Sequence, residues 1–288
     1  MKITLIGLGK MGTTLAKRLL LSRFELTVFN RTKEKMQPLI QLGAKPAKSL
    51  QDAVKDAEIV VTCLLDDNAV LQTTQEFLDF MPQDAIHIGT STILPETSKK
   101  LLEIHNNQGS IYIAGNVLGV PKAAEKGALT TIVAGNADAV KKCKSVFQAY
   151  SSNIIEISDF PYQANVVKIC MNYLLVSAIE VMGEIYTFAE KNEVNLDLIN
   201  KLFHTVFSHP AFKLYVDKIK DRTFDEVNFD IKGGYKDLNL FQQAFSQVGV
   251  VPNISNIIKD KFIIAIAHHL GDRDWSAITD ITRNQANI

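Results

Sequence analysis

Six residues near the start of the chain constrain its fold more than any others: Gly7-Leu8-Gly9-Lys10-Met11-Gly12. This G-x-G-x-x-G run follows Lys2-Ile3-Thr4-Leu5-Ile6, which reads as a short buried strand, and leads into a helical run from Thr13 to Leu21. In that setting the glycines give a tight turn, close backbone approach to a pyrophosphate, and close packing of helix on strand. The helix then points its free N–H groups and positive dipole end at the phosphates. A second strand, Glu25–Phe29, ends at Asn30-Arg31-Thr32, with Lys35 soon after. A site built for NAD usually carries Asp or Glu here, about 20 residues past the glycines, to accept from the ribose 2′-hydroxyl. A carboxylate would repel a 2′-phosphate, whereas an Arg fork grips one. Asn30, Arg31, Thr32 and Lys35 therefore favour NADP, with NAD still possible. The plainer alternative is that Arg31 and Lys35 form a solvated helix start.

The alternation continues through the first half. Runs at 59–65, 86–88, 111–113, 129–134 and 154–157 read as strands, and 32–42, 69–78, 95–108 and 138–150 as helices. That order predicts an α/β fold with a parallel, doubly wound sheet, whose ligands sit beyond the carboxyl ends of the strands. From Tyr162 the texture changes. A helical run to Lys191 is interrupted only by Gly183, and 196–207, 212–221, 231–248 and 252–269 are also helical. The expected organisation is a Rossmann domain over 1–160 and an all-helical domain over 161–288, entered by one long helix.

Composition excludes some functions. The 31 basic residues equal the 31 acidic ones, so no electrostatic case exists for nucleic acid or an anionic membrane. Apolar content of 47% and charged content of 22% are ordinary for a soluble protein, and no uninterrupted apolar stretch reaches the roughly 18 residues of a membrane span. The N-terminus reads as a strand, not a signal peptide. Cys63, Cys143 and Cys170, odd in number and in apolar contexts, read as buried free thiols in a reducing cytoplasm.

Four places carry chemistry. Leu64-Leu65-Asp66 follow the central strand, where backbone groups meet a ribose. Ser91 and Thr92, after the next strand, hold a nicotinamide or substrate, or else Thr92 caps the helix ahead of Pro95. Lys168 and Asn172 stand four apart, hence on one face of the long helix. Their apolar neighbours Val166, Val167, Ile169, Cys170 and Met171 suggest a helix buried nearly all round. A buried Lys needs a partner or a role, and its movable pKa suits proton transfer, while the alternative is a Lys that snorkels to the surface. Lys236-Asp237 would offer a cation to a carboxylate, or simply begin a helix after two glycines. His268-His269 with Asp272 and Asp274 match no metal-ligand spacing.

Together these stretches resemble the β-hydroxyacid dehydrogenases, the family of 3-hydroxyisobutyrate dehydrogenase and of glyoxylate or succinic semialdehyde reductases, over nearly the whole length. The glycine run is similar to the family's G-L-G-x-M-G, and Asn30-Arg31-Thr32 to its NADP-type N-R-T. Ser91-Thr92-Ile93-Leu94-Pro95 resembles S-T-x-x-P beside the nicotinamide. Lys168-Ile169-Cys170-Met171-Asn172 resembles K-x-x-x-N, Lys236-Asp237-Leu238 resembles K-D-L, and Asp274-Trp275-Ser276-Ala277 resembles D-W-S-A. The resemblance implies that Lys168 is a general acid/base, that Asn172 holds substrate, and that Lys236 lines the same cleft toward cofactor and substrate. It also implies pairing through the helical domains, as a homodimer or homotetramer.

Two departures bear on substrate. The family's D-A-P-V-S-G-G corresponds to Ala114-Gly115-Asn116-Val117-Leu118-Gly119-Val120, so Leu118 replaces a Ser that grips a carboxylate. This is closer to a subgroup reading A-P-V-F-G-R-P. The G-x-G ahead of the Lys is Tyr162-Gln163-Ala164, which removes a close backbone approach. The expected function is an NADP(H)-linked oxidoreductase interconverting a small β-hydroxy acid, or short aldehyde acid, with its carbonyl partner. Lys168 moves the proton, and Ser91, Thr92, Asn116, Leu118 and Gly119 close the pocket. An imine reductase and a catalytically silent NADP-binding scaffold are the alternatives. Lys168 counts against the first, and the presence of both Lys168 and Lys236 against the second.

Overall fold

β1 (Lys2–Ile6) is buried at every position after its first and pairs in parallel with a strand on each side. A strand covered on both faces has no solvated side, which is why its sequence is an apolar run rather than an alternation. The computed structural model describes residues 1–288, and these divide into two units, Met1–Lys168 and Ile169–Ile288. The boundary lies inside the long helix, whereas the sequence reading placed it at that helix's start.

In the first unit, β1, α1 (Lys10–Leu21) and β2 (Glu25–Phe29) are followed by a 3₁₀ turn over Lys33–Met36, α2 (Gln37–Ile40), β3 (Lys45–Pro46) and α3 (Leu50–Val54). Then come β4 (Ile59–Thr62), α4 (Asp67–Phe77), β5 (Ile86–Gly89), α5 (Pro95–Gln108) and β6 (Ile111–Leu118). The unit continues with α6 (Pro121–Glu125), β7 (Leu129–Ala134), α7 (Ala137–Lys142), α8 (Lys144–Tyr150), β8 (Ser151–Glu156) and the start of α9 (Pro161–Lys191). The eight strands form one sheet in the order β3-β2-β1-β4-β5-β6-β7-β8. The order reverses between β1 and β4, and the crevice at such a switch point is where doubly wound sheets bind their ligands.

Several local expectations are corrected. The sheet is not wholly parallel, because β6 and β7 run antiparallel. The link over 119–128 holds only one helical turn, too short for a parallel crossover. β4 stops at Thr62, not 65, because the Leu64 N–H turns away to Ser91 and Asp66 caps α4. β6 runs on to Leu118, so Asn116 and Leu118 lie on a strand and not in a loop. The helix expected over 32–42 breaks into a 3₁₀ turn and α2, since Pro38 has no N–H to donate. The helix expected over 138–150 splits at Cys143, whose carbonyl accepts from both Val146 and Phe147.

The second unit contains the rest of α9, with α10 (Leu196–Val206), α11 (Pro210–Asp221), α12 (Ile231–Gln247), α13 (Asn253–Ala267), a 3₁₀ turn at Trp275–Ile278 and α14 (Thr279–Gln285). It has no strand of its own, as the sequence predicts. The D-W-S-A stretch is an anchor. Buried Asp274 accepts from the Asn228 N–H at 2.9 Å and from the Ser276 hydroxyl at 2.6 Å. Buried Lys218 donates to the carbonyls of Thr223 and Glu226. Between them they fix the link that delivers the chain into α12. Trp275 stacks edge-on against Phe229 and Tyr215. Gly234 lets α12 approach closely, since a β-carbon there would lie 2.8 Å from Phe262.

Contrary to the sequence reading, α9 is not buried all round. Ile169, Val176, Ile179, Met182 and Tyr186 face inward, while Val166, Met171, Leu174, Val181, Ile185 and Phe188 are exposed. Eighteen residues of it reach a mean hydropathy of 1.6, enough by length and composition alone to cross a membrane. Yet Glu180 lies buried within it, ion-paired to Lys261 of α13. The cysteine reading also changes: Cys143 is buried, Cys63 half-buried and Cys170 exposed, all three unpaired.

Candidate functional site

The glycine loop has the shape its sequence demands. Gly7 adopts φ +99°, and a β-carbon on it would lie 2.3 Å from the Cys63 carbonyl oxygen. One on Gly12 would meet the Gly7 carbonyl at 2.0 Å, so both positions admit only glycine. Gly9 differs: nothing lies within 4 Å of where its β-carbon would be, and it caps α1 with no side-chain acceptor. Open space thus lies beside Gly9, at the N-terminus of a twelve-residue helix with no acidic residue in its first turn. That is a cradle for a phosphate group, and the residues present fit a dinucleotide.

Asn30 braces this loop. Its Oδ1 accepts from the Leu8 N–H at 2.9 Å, and its Nδ2 donates to the Thr32 carbonyl at 3.0 Å. An Asp would keep the first bond and lose the second. The amide thus links the glycine turn to the N-R-T turn without adding negative charge. Arg31, Thr32, Lys35 and Lys10 are exposed around it, and Met11 is half-buried.

Three strand ends are stitched together next to this loop. The Leu64 N–H donates to Ser91 Oγ at 2.8 Å, and Asn116 Nδ2 donates to the Ser91 carbonyl at 2.9 Å. Leu65 presents an apolar side chain that is 69% exposed. Asp66 is occupied as the cap of α4, accepting from Ala69. Thr92 is not the cap of α5. That position belongs to Leu94, whose N–H is held by Asp67 at 2.8 Å, with Pro95 at the first helical position as the sequence predicts. Gly119 takes φ +124° just past the end of β6, with half-buried Leu118 before it.

Lys168 is half-buried, and its Nζ donates to the Val117 carbonyl at 2.8 Å. The ammonium neither snorkels free nor sits in a purely apolar pocket; it is drawn to the strand that carries Asn116 and Leu118. In the second unit, Asp237 is buried and binds two candidates at once. Its Oδ2 accepts from Asn172 Nδ2 at 3.1 Å, and its Oδ1 lies 2.7 Å from Lys236 Nζ. Asp237 orients both, so the K-D-L stretch is more than a helix start: Lys236 lies in the second turn of α12. The sequence reading had Asp237 neutralise or orient Lys236 and did not foresee its bond to Asn172. Asn165 was also missed, although it stands three residues before Lys168 and seven before Asn172, on the same helical stripe.

The chain's likenesses agree with this geometry. Residues 2–158 match the NAD binding domain of 6-phosphogluconate dehydrogenase, and residues 163–282 match the NAD-binding domain of NADP-dependent 3-hydroxyisobutyrate dehydrogenase. The uncharacterized oxidoreductase YfjR of Bacillus subtilis is 35% identical over 281 residues, covering 96% of this chain and 98% of its own. The chain belongs to the β-hydroxyacid dehydrogenase family. Its fold is that of the 3-hydroxyisobutyrate dehydrogenase of Salmonella typhimurium, at a TM-score of 0.86 and 20% identity over 97% of this chain and 99% of that one. It is also similar in fold to an imine reductase of Streptomyces aurantiacus, at a TM-score of 0.69 and 18% identity over 98% and 99% of the two chains. As a β-hydroxyacid dehydrogenase it is an NAD(P)-dependent oxidoreductase acting on a hydroxyl or carbonyl carbon.

Proposed function

We propose that this dehydrogenase uses NADP(H) to interconvert a small β-hydroxy acid, or a short hydroxylated or acidic aldehyde, with its carbonyl partner. Lys168 acts as the general acid/base. The observation that carries this is Lys168 itself, a half-buried ammonium fixed 2.8 Å from the Val117 carbonyl, on the strand bearing Asn116 and Leu118. The dinucleotide supplies or takes up the hydride.

The chain's own residues do the rest. The α1 N-terminus and Gly9 would hold the pyrophosphate, and Arg31 with Lys35 a 2′-phosphate. Leu64 and Leu65 would lie along the nucleoside, and Ser91 and Thr92 by the nicotinamide. The Val117 carbonyl anchors the ammonium on β6, from where it would exchange a proton with a substrate oxygen. The family resemblance assigns Asn172 and Lys236 to substrate, and buried Asp237 supports both by fixing their orientation.

The same reading takes in the setting. Three unpaired thiols suit a reducing cytoplasm. The exposed apolar stripe of α9 suits a second copy of the chain, as a homodimer or homotetramer. An imine reductase is the second reading, favoured by the apolar Leu118 and the shared fold, and opposed by a Lys at position 168. NADPH consumption measured with glyoxylate, succinic semialdehyde, glyceraldehyde and a cyclic imine separates the readings. Turnover of one or more aldehydes with none of the imine is expected. Turnover of the imine alone would transfer the protein to the second reading, and none with any would favour a silent scaffold.

A further inference from the structure

Asn116 is fully buried on β6, and the direction of its amide is fixed by chemistry. Its bond at 2.9 Å runs to the Ser91 carbonyl, which can only accept, so the atom there is nitrogen. The other end, Oδ1, is then a buried acceptor with no hydrogen-bond partner. Asn165 is only 1% exposed, and neither its oxygen nor its nitrogen has a partner. Three idle polar atoms are costly, because each has lost its hydration and gained no hydrogen bond.

Both residues lie where β6 and α9 pack together. Ala114 and Leu118 flank Asn116 on the same face of β6, and both belong to the apolar cluster that includes Ala164 and Val167 of α9. Asn165 is the chain neighbour of Ala164, and Lys168 binds the carbonyl of Val117, the chain neighbour of Asn116. Asn116 thus lies on the strand, and Asn165 on the helix, that meet at the Lys168–Val117 contact. Asn116 can only accept there, while Asn165 can donate or accept. A hydroxyl, which does both, satisfies that pair; a carboxylate, which only accepts, does not.

We propose that Asn165, with Asn116, forms a subsite beside Lys168 that positions an uncharged hydroxyl of the substrate, where Leu118 provides no grip for a carboxylate. The proposal rests on Lys168 being the acid/base of this site. It makes the preferred substrate class a neutral, hydroxyl-bearing aldehyde or its alcohol partner.

The test is Asn165→Leu, a change of similar volume that removes both idle atoms. Its kcat/KM is compared with wild type for NADPH-linked reduction of glyceraldehyde and of succinic semialdehyde, alongside Tm and NADPH affinity. Wild type should favour glyceraldehyde by at least about tenfold, well within the roughly 10⁴-fold that sites built around a substrate hydroxyl reach. In Asn165→Leu that preference should vanish through a raised KM for glyceraldehyde, with NADPH affinity unchanged and Tm equal or higher. Asn165→Ser, whose hydroxyl can both donate and accept, should recover part of the preference. An unchanged ratio together with a raised Tm would show an unpaired amide of no function and overturn the subsite, as would a wild-type preference for succinic semialdehyde. Lys168→Ala keeps the two ideas apart. If it abolishes both reductions while Asn165→Leu shifts neither ratio, the subsite fails and the proposed reaction stands. If wild type binds NADPH and reduces neither aldehyde, both fail.

Discussion

Asn30 shows how much one side chain decides. As an amide it accepts from Leu8 and donates to Thr32, which a carboxylate cannot do, and it keeps negative charge away from exposed Arg31. Replacing Arg31 with Ala should raise the KM for NADPH about tenfold to a hundredfold, the scale of a charged hydrogen bond to phosphate, and leave the KM for NADH nearly unchanged. Equal effects on both cofactors would remove Arg31 from the 2′-phosphate. At this scale the sequence was informative wherever a residue type has a single physical use. Gly7 and Gly12 admit no β-carbon, and G-x-G-x-x-G reports that directly. Asn165 was hidden because it is an ordinary residue on a helix, as was the bond from Asn172 to Asp237. Only spacing marks Asn165, as the first of three polar positions at i, i+3 and i+7 on an apolar run.

At the scale of elements, strands and helices were legible from apolar runs, and their ends were not. β4 ends early because a side chain, Ser91, takes the Leu64 N–H, and β6 runs long because β7 turns back to pair with it. Neither partner is visible from the segment itself. β5 and α5 also share a buried polar chain that no local pattern announced. His87 binds Thr62 at 2.8 Å and His105 at 2.9 Å, and His105 binds Ser110 at 2.7 Å, with Phe77 and Tyr112 packed against the rings. Burial holds both imidazoles below their usual range, His105 at about 4. The unfolded chain therefore takes up protons as pH falls through about 6.5 while the folded chain does not, so stability drops with falling pH and goes on dropping toward about 4. Each histidine contributes a slope of about 1.4 kcal/mol per pH unit in that window. Urea unfolding at pH 7 and pH 5 should show this loss, and His105→Gln should shrink it. An equal loss in that variant would place the acid sensitivity elsewhere.

At the scale of the whole molecule, α9 begins in the first unit and continues in the second. Met171, Leu174, Val181, Ile185 and Phe188 form an exposed stripe on it, Phe188 being 73% exposed, and α10 has no buried residue at all. We propose that a second copy of the chain covers this apolar surface. Sedimentation should give a dimer or a multiple of it, and the double change Leu174→Asp with Phe188→Asp should yield a monomer; a wild-type monomer would contradict this. Two-domain organisation was legible from the loss of strands after residue 160, whereas the exposed stripe was misread as core because an apolar helix looks alike in either setting. The central claim is proton transfer by Lys168, and it is separable from cofactor binding because the phosphate cradle lies far from Lys168 in sequence, at Gly7–Gly12. The most direct measurement is single-turnover oxidation of bound NADPH by Lys168→Ala, with an aldehyde that wild type reduces. The rate should fall about 10²–10⁴-fold, the usual contribution of a general acid, with NADPH affinity intact. An unchanged rate would contradict the account.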